Sequence, residues 1–153
     1  KANLIDSDVS VKFNDISKIE LENNNMVIDS GSPHFIILHE DIDHININNE
    51  ARKIRNSKKY KSEGINVNFV NIDDVISIRT YERGVEAETL SCGTGAVATA
   101  VGLHYSKNIE DNIIELNTKG GVLTVSFDEF NGCYKNIWLT GAVNLVYIGE
   151  FEC

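Results

Sequence analysis

Short runs of β-branched and aromatic residues, divided by clusters of Gly, Asn and Asp, recur along this chain. Such a pattern predicts strands joined by turns. Val9 to Phe13, Lys18 to Leu21 and Met26 to Asp29 come first, and Glu22-Asn23-Asn24-Asn25 folds the second back on the third as a hairpin. After the Ser30-Gly31-Ser32-Pro33 turn, His34 to His39 is almost continuously apolar, as expected of a strand covered on both faces. Asn66 to Ile72 and Val75 to Tyr81 are joined at Asp73-Asp74. Ile113 to Asn117, Val122 to Phe127, Cys133 to Thr140 and Asn144 to Phe151 form a C-terminal group divided by Lys119-Gly120-Gly121, Asn131-Gly132 and Gly141.

Two segments follow helical rather than alternating spacing. Asn48 or Asn49 is expected to cap a helix running to about Tyr60 and closed by Gly64, with Lys53, Lys58, Lys59 and Lys61 on its solvated side. Ser91 to Tyr105 (SCGTGAVATAVGLHY) is small and apolar on nearly every side. A helix with no polar face is a buried helix, and its Gly, Ala and Val content lets a sheet approach its axis closely. The reading is an α+β fold of about nine strands and two helices, with the sheet wrapped around the second helix.

Composition adds limits. The 153 residues and single proline, with no linker or repeat, predict one domain. A net charge of -9 repels phosphate backbones and anionic bilayers, which excludes nucleic acid and membrane as expected partners. No apolar run approaches the ~20 residues of a membrane span, and Lys1 to Ser10 lacks a secretory pattern, so the expected location is cytoplasmic. Cys92, Cys133 and Cys153 are an odd number at wide spacing, which predicts reduced thiols rather than disulfides or a structural zinc site. His39 and His44 lack a third ligand, and His104 is expected to pack late in the buried helix. The only methionine is Met26, so an upstream segment is expected to precede Lys1.

The chemistry concentrates at the start of the buried helix. Its first N–H groups have no intrahelical acceptors, and leaving them buried and unpaired costs roughly 1 to 3 kcal/mol each. Gly93, Thr94 and Gly95 present those groups with little side-chain bulk, as an anion site favoured by the helix dipole. Cys92 stands at the same mouth, where the dipole is expected to lower its thiol pKa. The competing reading makes Cys92 a small buried hydrophobe. Upstream, Arg83 is placed to clamp a carboxylate bidentately, unless it pairs with Glu82, Glu86 or Glu88.

Glu82 to Ala96, ERGVEAETLSCGTGA, resembles the C-terminal active-site motif of the diaminopimelate epimerase family. Ser30 to Phe35 (SGSPHF) resembles its G-N-P-H turn, Gly64 to Val70 (GINVNFV) its N-V-x-F strand, and Gly141 to Glu150 its closing V-F-x-G-E strand. Ser32 stands where the family often has Asn, and Glu86-Ala87 replaces a single Gly. The resemblance implies a mixed, mostly antiparallel sheet wrapped as a barrel around a central buried helix. It implies that residues 1–153 form a single domain like the family's C-terminal half, and that the N-terminal half, with its own cysteine, is missing.

The family interconverts LL- and meso-diaminopimelate without pyridoxal phosphate or metal, on the route to lysine and peptidoglycan precursors. By this resemblance no cofactor is needed, and the partners are a diaminodicarboxylate substrate and the missing N-terminal domain; homodimerisation is left open. Cys92 corresponds to one of two opposed acid/base thiols, and Gly93 and Thr94 to the amides that hold the carboxylate beside the reacting carbon. Ser32, Asn66, Glu82 and Arg83 correspond to substrate contacts, with His34 flanking the site. Alternatives are an isomerase of the same fold, proline racemase-like or phenazine-pathway-like, and a non-catalytic module that binds a small carboxylate. A thiol hydrolase using Cys92 and His34 ranks below these.

Overall fold

The computed structural model describes residues 1–5 and 8–151. Eleven strands and two helices follow one another as β1 (Ala2–Ile5), β2 (Asp8–Lys12), β3 (Ile19–Glu22), β4 (Asn25–Asp29), β5 (Pro33–Leu38), α1 (Ile47–Arg55), β6 (Asn66–Ile72), β7 (Ile76–Glu82), β8 (Ala87–Thr89), α2 (Gly93–Tyr105), β9 (Ile113–Thr118), β10 (Gly121–Phe130) and β11 (Cys133–Ala142). They form one mixed sheet in the order β1-β2-β11-β10-β9-β7-β6-β5-β4-β3, with β8 beside the second half of β7. Among the described residues only β5–β6 and β7–β9 are parallel, and each of these pairs is bridged by a helix, because parallel neighbours need a long crossover.

Alternation along the central strands gives the sheet two cores. Val67 and Phe69 of β6 join Phe35, Ile47 and Ala51 under α1, whereas Val70, Ile36 and Ile78 join the cluster around α2. Side chains at i and i+2 share a face, so Asn66 and Asn68 lie on the α2 side of β6 with Val70. Helix α2 packs against β4, β5, β6, β9, β10 and β11, and every residue from Gly95 to Leu103 is buried. The close approach expected from its small residues occurs: a Cβ on Gly102 would lie 3.0 Å from Met26 Sδ and 3.2 Å from Ile28 Cδ1.

The sheet curls around α2 but does not close. Its path ends at β1 and β3, and among the described residues these edges are not paired with each other; closure into a barrel is therefore not seen. Asn23 and Asn24 take positive φ (50° and 67°) in the predicted β3–β4 hairpin, as a tight turn matching strand twist requires.

Helix α1 begins earlier and ends sooner than its residues suggested. Asn46 is the cap, its side chain accepting from Asn49 N–H at 3.1 Å, while Asn48 instead accepts from Glu88 N–H. Turns carry the chain from Asn56 to Gly64. The expected strand over Asn144 to Phe151 is absent: β11 is already paired on both sides, by β10 and β2, and no strand edge accompanies the tail among the described residues. Leu145, Tyr147 and Phe151 are 79%, 82% and 87% exposed. Cys153 lies outside the described residues.

Thr99, inside α2, is fully buried and its hydroxyl has no partner among the described residues. An unpaired buried hydroxyl costs about 1 kcal/mol or more. Thr99→Val keeps the shape and removes the polar atom, so it is expected to raise stability by ~1 kcal/mol and the melting temperature by about 2 to 4 °C. A lower melting temperature in calorimetry would contradict this.

Candidate active site

Buried from Gly95 to Leu103, α2 reaches the surface at its two ends, at its first turn and again at Tyr105. Cys92 occupies the cap position with extended backbone (φ -135°, ψ 109°), and its side chain does not cap the helix. The half-buried sulfur instead lies 3.4 Å from Thr94 Oγ1. The N–H groups of Gly93 and Thr94 have no acceptor among the described residues. A shallow depression of about 250 Å³ adjoins this turn, bounded in part by Lys12, Ser30, Gly31 and Thr94.

The expected lowering of the Cys92 pKa does not occur. Burial pushes the thiol above its ordinary value, and the nearby Glu82 carboxylate adds to the rise. The Thr94 hydroxyl and the Gly95 amide beside the sulfur oppose the rise without winning. A sulfur withdrawn from water loses more in solvation than the neighbouring polar groups at a helix end return.

His34 is fully buried on β5. Its Nε2 is 2.9 Å from Thr94 Oγ1 and its Nδ1 is 3.0 Å from Asn68 Nδ2, while Ser30 Oγ donates to the Thr94 carbonyl at 2.7 Å. Burial lowers the His34 pKa from 6.5 to about 4, so the ring is neutral at pH 7. The unfolded chain therefore binds this proton first as pH falls. Stability from this group is complete above pH 6.5 and is lost towards pH 4, by about 3 kcal/mol. Urea unfolding over that window should show this loss, and His34→Gln should remove the same increment of pH dependence; equal slopes in both proteins would contradict it.

A second group is organised by Asn66. Its Oδ1 accepts from the Arg83 backbone N–H at 2.9 Å, and its Nδ2 donates to Ser32 Oγ at 2.8 Å and to the Pro33 carbonyl at 2.9 Å. Arg83 is exposed; its guanidinium donates to Ser32 Oγ at 3.2 Å and to the Glu63 carbonyl at 3.1 Å. Gly64 makes room for it, at φ +77° and with the site of a Cβ only 2.7 Å from Arg83 Cδ.

The competing ion pairs do not form. Glu82 accepts from Thr89 Oγ1 at 2.5 Å, Glu86 pairs with Arg55 and accepts from Tyr81, and Glu88 pairs with Arg79 and Lys119. Among the described residues no carboxylate pairs with Arg83. In the same loop Glu86 takes a positive φ (59°) and is tied to α1 through Arg55.

Ser32, His34, Asn66, Arg83, Cys92, Gly93 and Thr94 thus gather at one end of α2, the two groups meeting where Asn66 Nδ2 comes within 3.5 Å of His34 Nε2, and Glu82 lies close enough to act on Cys92. Sequence reading passed over Ser30, Asn68, Thr80 and Thr89. The period-two face shared by Asn66, Asn68 and Val70 was the available signal for Asn68. No cluster of His, Cys, Asp and Glu able to hold a metal occurs among the described residues. His104 packs late in α2 as expected, 3.0 Å from Tyr134 Oη and edge-on to Phe127. No helix among the described residues is long and apolar enough to cross a membrane.

Comparison with known proteins covers this whole region. The family model for diaminopimelate epimerase matches residues 26–146. The diaminopimelate epimerase of Flavobacterium psychrophilum is 39% identical over 141 residues, 91% of this chain and 55% of that protein; the one from Aquifex aeolicus is 41% identical over 128 residues, 82% of this chain and 45% of that protein. The chain spans about half the length of these curated relatives. Among solved structures, a probable proline racemase from Agrobacterium radiobacter superposes with a TM-score of 0.62 at 15% identity, covering 92% of this chain and 53% of its own. A hydroxyproline epimerase from Agrobacterium vitis does so with a TM-score of 0.60 at 14% identity, covering 92% and 52%. At such identities these two show a common fold and nothing of the substrate. The match across β4 to β11, with the helix mouth inside it, shows that the chain belongs to the diaminopimelate epimerase family.

Proposed function

We propose that this chain supplies one half of the active site of a cofactor-independent epimerase that interconverts LL- and meso-diaminopimelate, on the route to lysine and peptidoglycan precursors. The observation that carries the reading is Cys92 Sγ at the open first turn of a buried helix, beside the unpartnered N–H groups of Gly93 and Thr94. Those amides receive the α-carboxylate and offset the charge that develops as the α-carbon loses its proton. Ser32, Asn66 and Arg83 bind the distal end, with Arg83 on the distal carboxylate, and Glu82 faces an ammonium group. The N-terminal half, expected upstream of Lys1, provides the second thiol across the cleft.

Inversion requires a proton to leave one face of the α-carbon and another to arrive on the opposite face. In one direction Cys92 as thiolate takes the α-proton while the opposing thiol delivers its own. In the other direction the roles exchange, and the two sulfurs end with their protonation states swapped. A raised thiol pKa suits the acid role, and the ammonium group of a bound substrate supplies positive charge that favours the thiolate.

The test is incubation of the complete protein with LL-diaminopimelate in deuterium oxide. The expected result is meso product with deuterium at the inverted carbon, and loss of turnover on thiol alkylation. Turnover of proline or hydroxyproline in place of diaminopimelate would replace this reading with a same-fold racemase. Binding of small dicarboxylates without exchange would replace it with a non-catalytic module.

A further inference from the structure

The polar residues behind His34 form a continuous hydrogen-bonded chain from Thr80 through Asn68 and His34 to Thr94 and Cys92. We propose that Asn68 is a positioning residue for the Cys92 thiol, which acts without touching substrate by fixing the nitrogen of His34 that carries the ring proton. Thr80, opposite Asn68 across the β6–β7 ladder, donates its hydroxyl hydrogen to Asn68 Oδ1 at 2.8 Å. This turns the amide nitrogen of Asn68 towards His34, where it donates to Nδ1 at 3.0 Å. With its Nδ1 lone pair engaged, a neutral imidazole keeps its hydrogen on Nε2. That hydrogen goes to Thr94 Oγ1 at 2.9 Å, and the Thr94 hydroxyl hydrogen is left to face Cys92 Sγ at 3.4 Å.

Reversing the amide reverses every later member. An oxygen opposite Nδ1 would demand the hydrogen there, Nε2 would become an acceptor and take the Thr94 hydrogen, and the sulfur would face a lone pair. Two features hold the observed sense. Asn68 and Thr80 are both buried away from water that would scramble it, and Gly95 leaves space for the amide, since a Cβ there would fall 2.7 Å from Asn68 Oδ1. Burial keeps the ring neutral, so one tautomer suffices to set the relay. The charged or titratable groups near this corner are Asp29 of β4, Lys12 of β2, Glu82 and Arg83 at the end of β7, and His34 itself.

The consequence for turnover rests on the proposed function, but the test does not. In a chain carrying Cys133→Ser and Cys153→Ser, Cys92 alkylation by iodoacetamide is followed against pH, and the His34 ring nitrogens are observed by NMR. The unaltered relay is expected to show the Nε2–H tautomer. Asn68→Leu is expected to abolish that single tautomer and to slow alkylation at neutral pH about tenfold, the effect of one lost hydrogen bond to a charged sulfur. Thr80→Val, which leaves the core packed, should move both readouts in the same direction, and Thr80→Ser should restore them.

A ring that stays Nε2–H with an unchanged alkylation profile in Asn68→Leu or Thr80→Val would overturn the proposal. In the complete protein the same variants should lower kcat and leave KM unchanged. If alkylation and tautomer respond while the unmutated protein does not epimerise diaminopimelate, the relay stands and the proposed function fails. An active enzyme indifferent to Asn68 is the reverse case.

Discussion

Replacing Cys92 with alanine is expected to lower epimerisation by the complete protein about a thousandfold, the contribution of a well-placed proton-transfer group. The fold should survive. Cys92 is only half-buried, outside the continuous core of α2, and it supplies no capping bond whose loss would fray the helix. A stability loss of no more than about 1 kcal/mol is therefore expected, which urea unfolding can check. The opposing thiol can still remove and return a proton on its own side, so any residual exchange of the α-hydrogen with deuterium oxide should proceed with retention and on one stereoisomer only. Near-normal inversion in this variant would exclude the two-thiol mechanism.

Arg83→Ala is expected to separate binding from folding. The guanidinium is exposed, has no carboxylate partner among the described residues, and is held by two neutral acceptors, Ser32 Oγ and the Glu63 carbonyl. Its removal therefore leaves no buried charge stranded. If it closes on a desolvated carboxylate of the substrate, its loss should weaken diaminopimelate binding by ~2 to 5 kcal/mol, read as a raised KM. Arg83→Lys should recover only part, because an ammonium cannot reproduce the bidentate fork. Unchanged affinity in the alanine variant would remove Arg83 from the site.

The centre of the fold was open to sequence reading because its signals are local. An apolar stretch with no polar face has to be enclosed, and Gly93 as the first helical residue with Cys92 before it follows from that. Paired asparagines predicted the β3–β4 hairpin for a reason confined to two residues. The misread elements depend on partners distant in the chain. Leu145 to Phe151 has the composition of a buried strand but pairs with no strand among the described residues, and Ala87–Thr89 is too short and polar to announce its ladder with β7. Five closely spaced asparagines, Asn46, Asn48, Asn49, Asn56 and Asn66, also look alike on paper. Only the packing of Ile47 and Ala51 decides that Asn46 caps α1.

The site divides in the same way. Cys92, Gly93, Thr94 and Arg83 stood out because thiols, amide-bearing glycines and guanidinium groups carry chemistry by type. Asn68 and Thr80 read as ordinary polar residues of half-exposed strands, and only the cross-strand register places them behind His34. The direction of the Cys92 pKa was missed because a helix dipole can be inferred from a motif, whereas the loss of solvation depends on how closely the sheet covers the sulfur.

The composition of α2 also bears on how the protein is assembled. Three glycines and several β-branched residues within Gly93–Tyr105 give it poor intrinsic helicity, so it gains order only when strands far apart in the chain surround it. Its thiol should then mature late in folding. Before that moment the sulfur is fully hydrated, ionises more readily than in the finished molecule, and is most open to oxidation. Newly made or heat-stressed chains, rather than native ones, should be where oxidative damage to this cysteine accumulates.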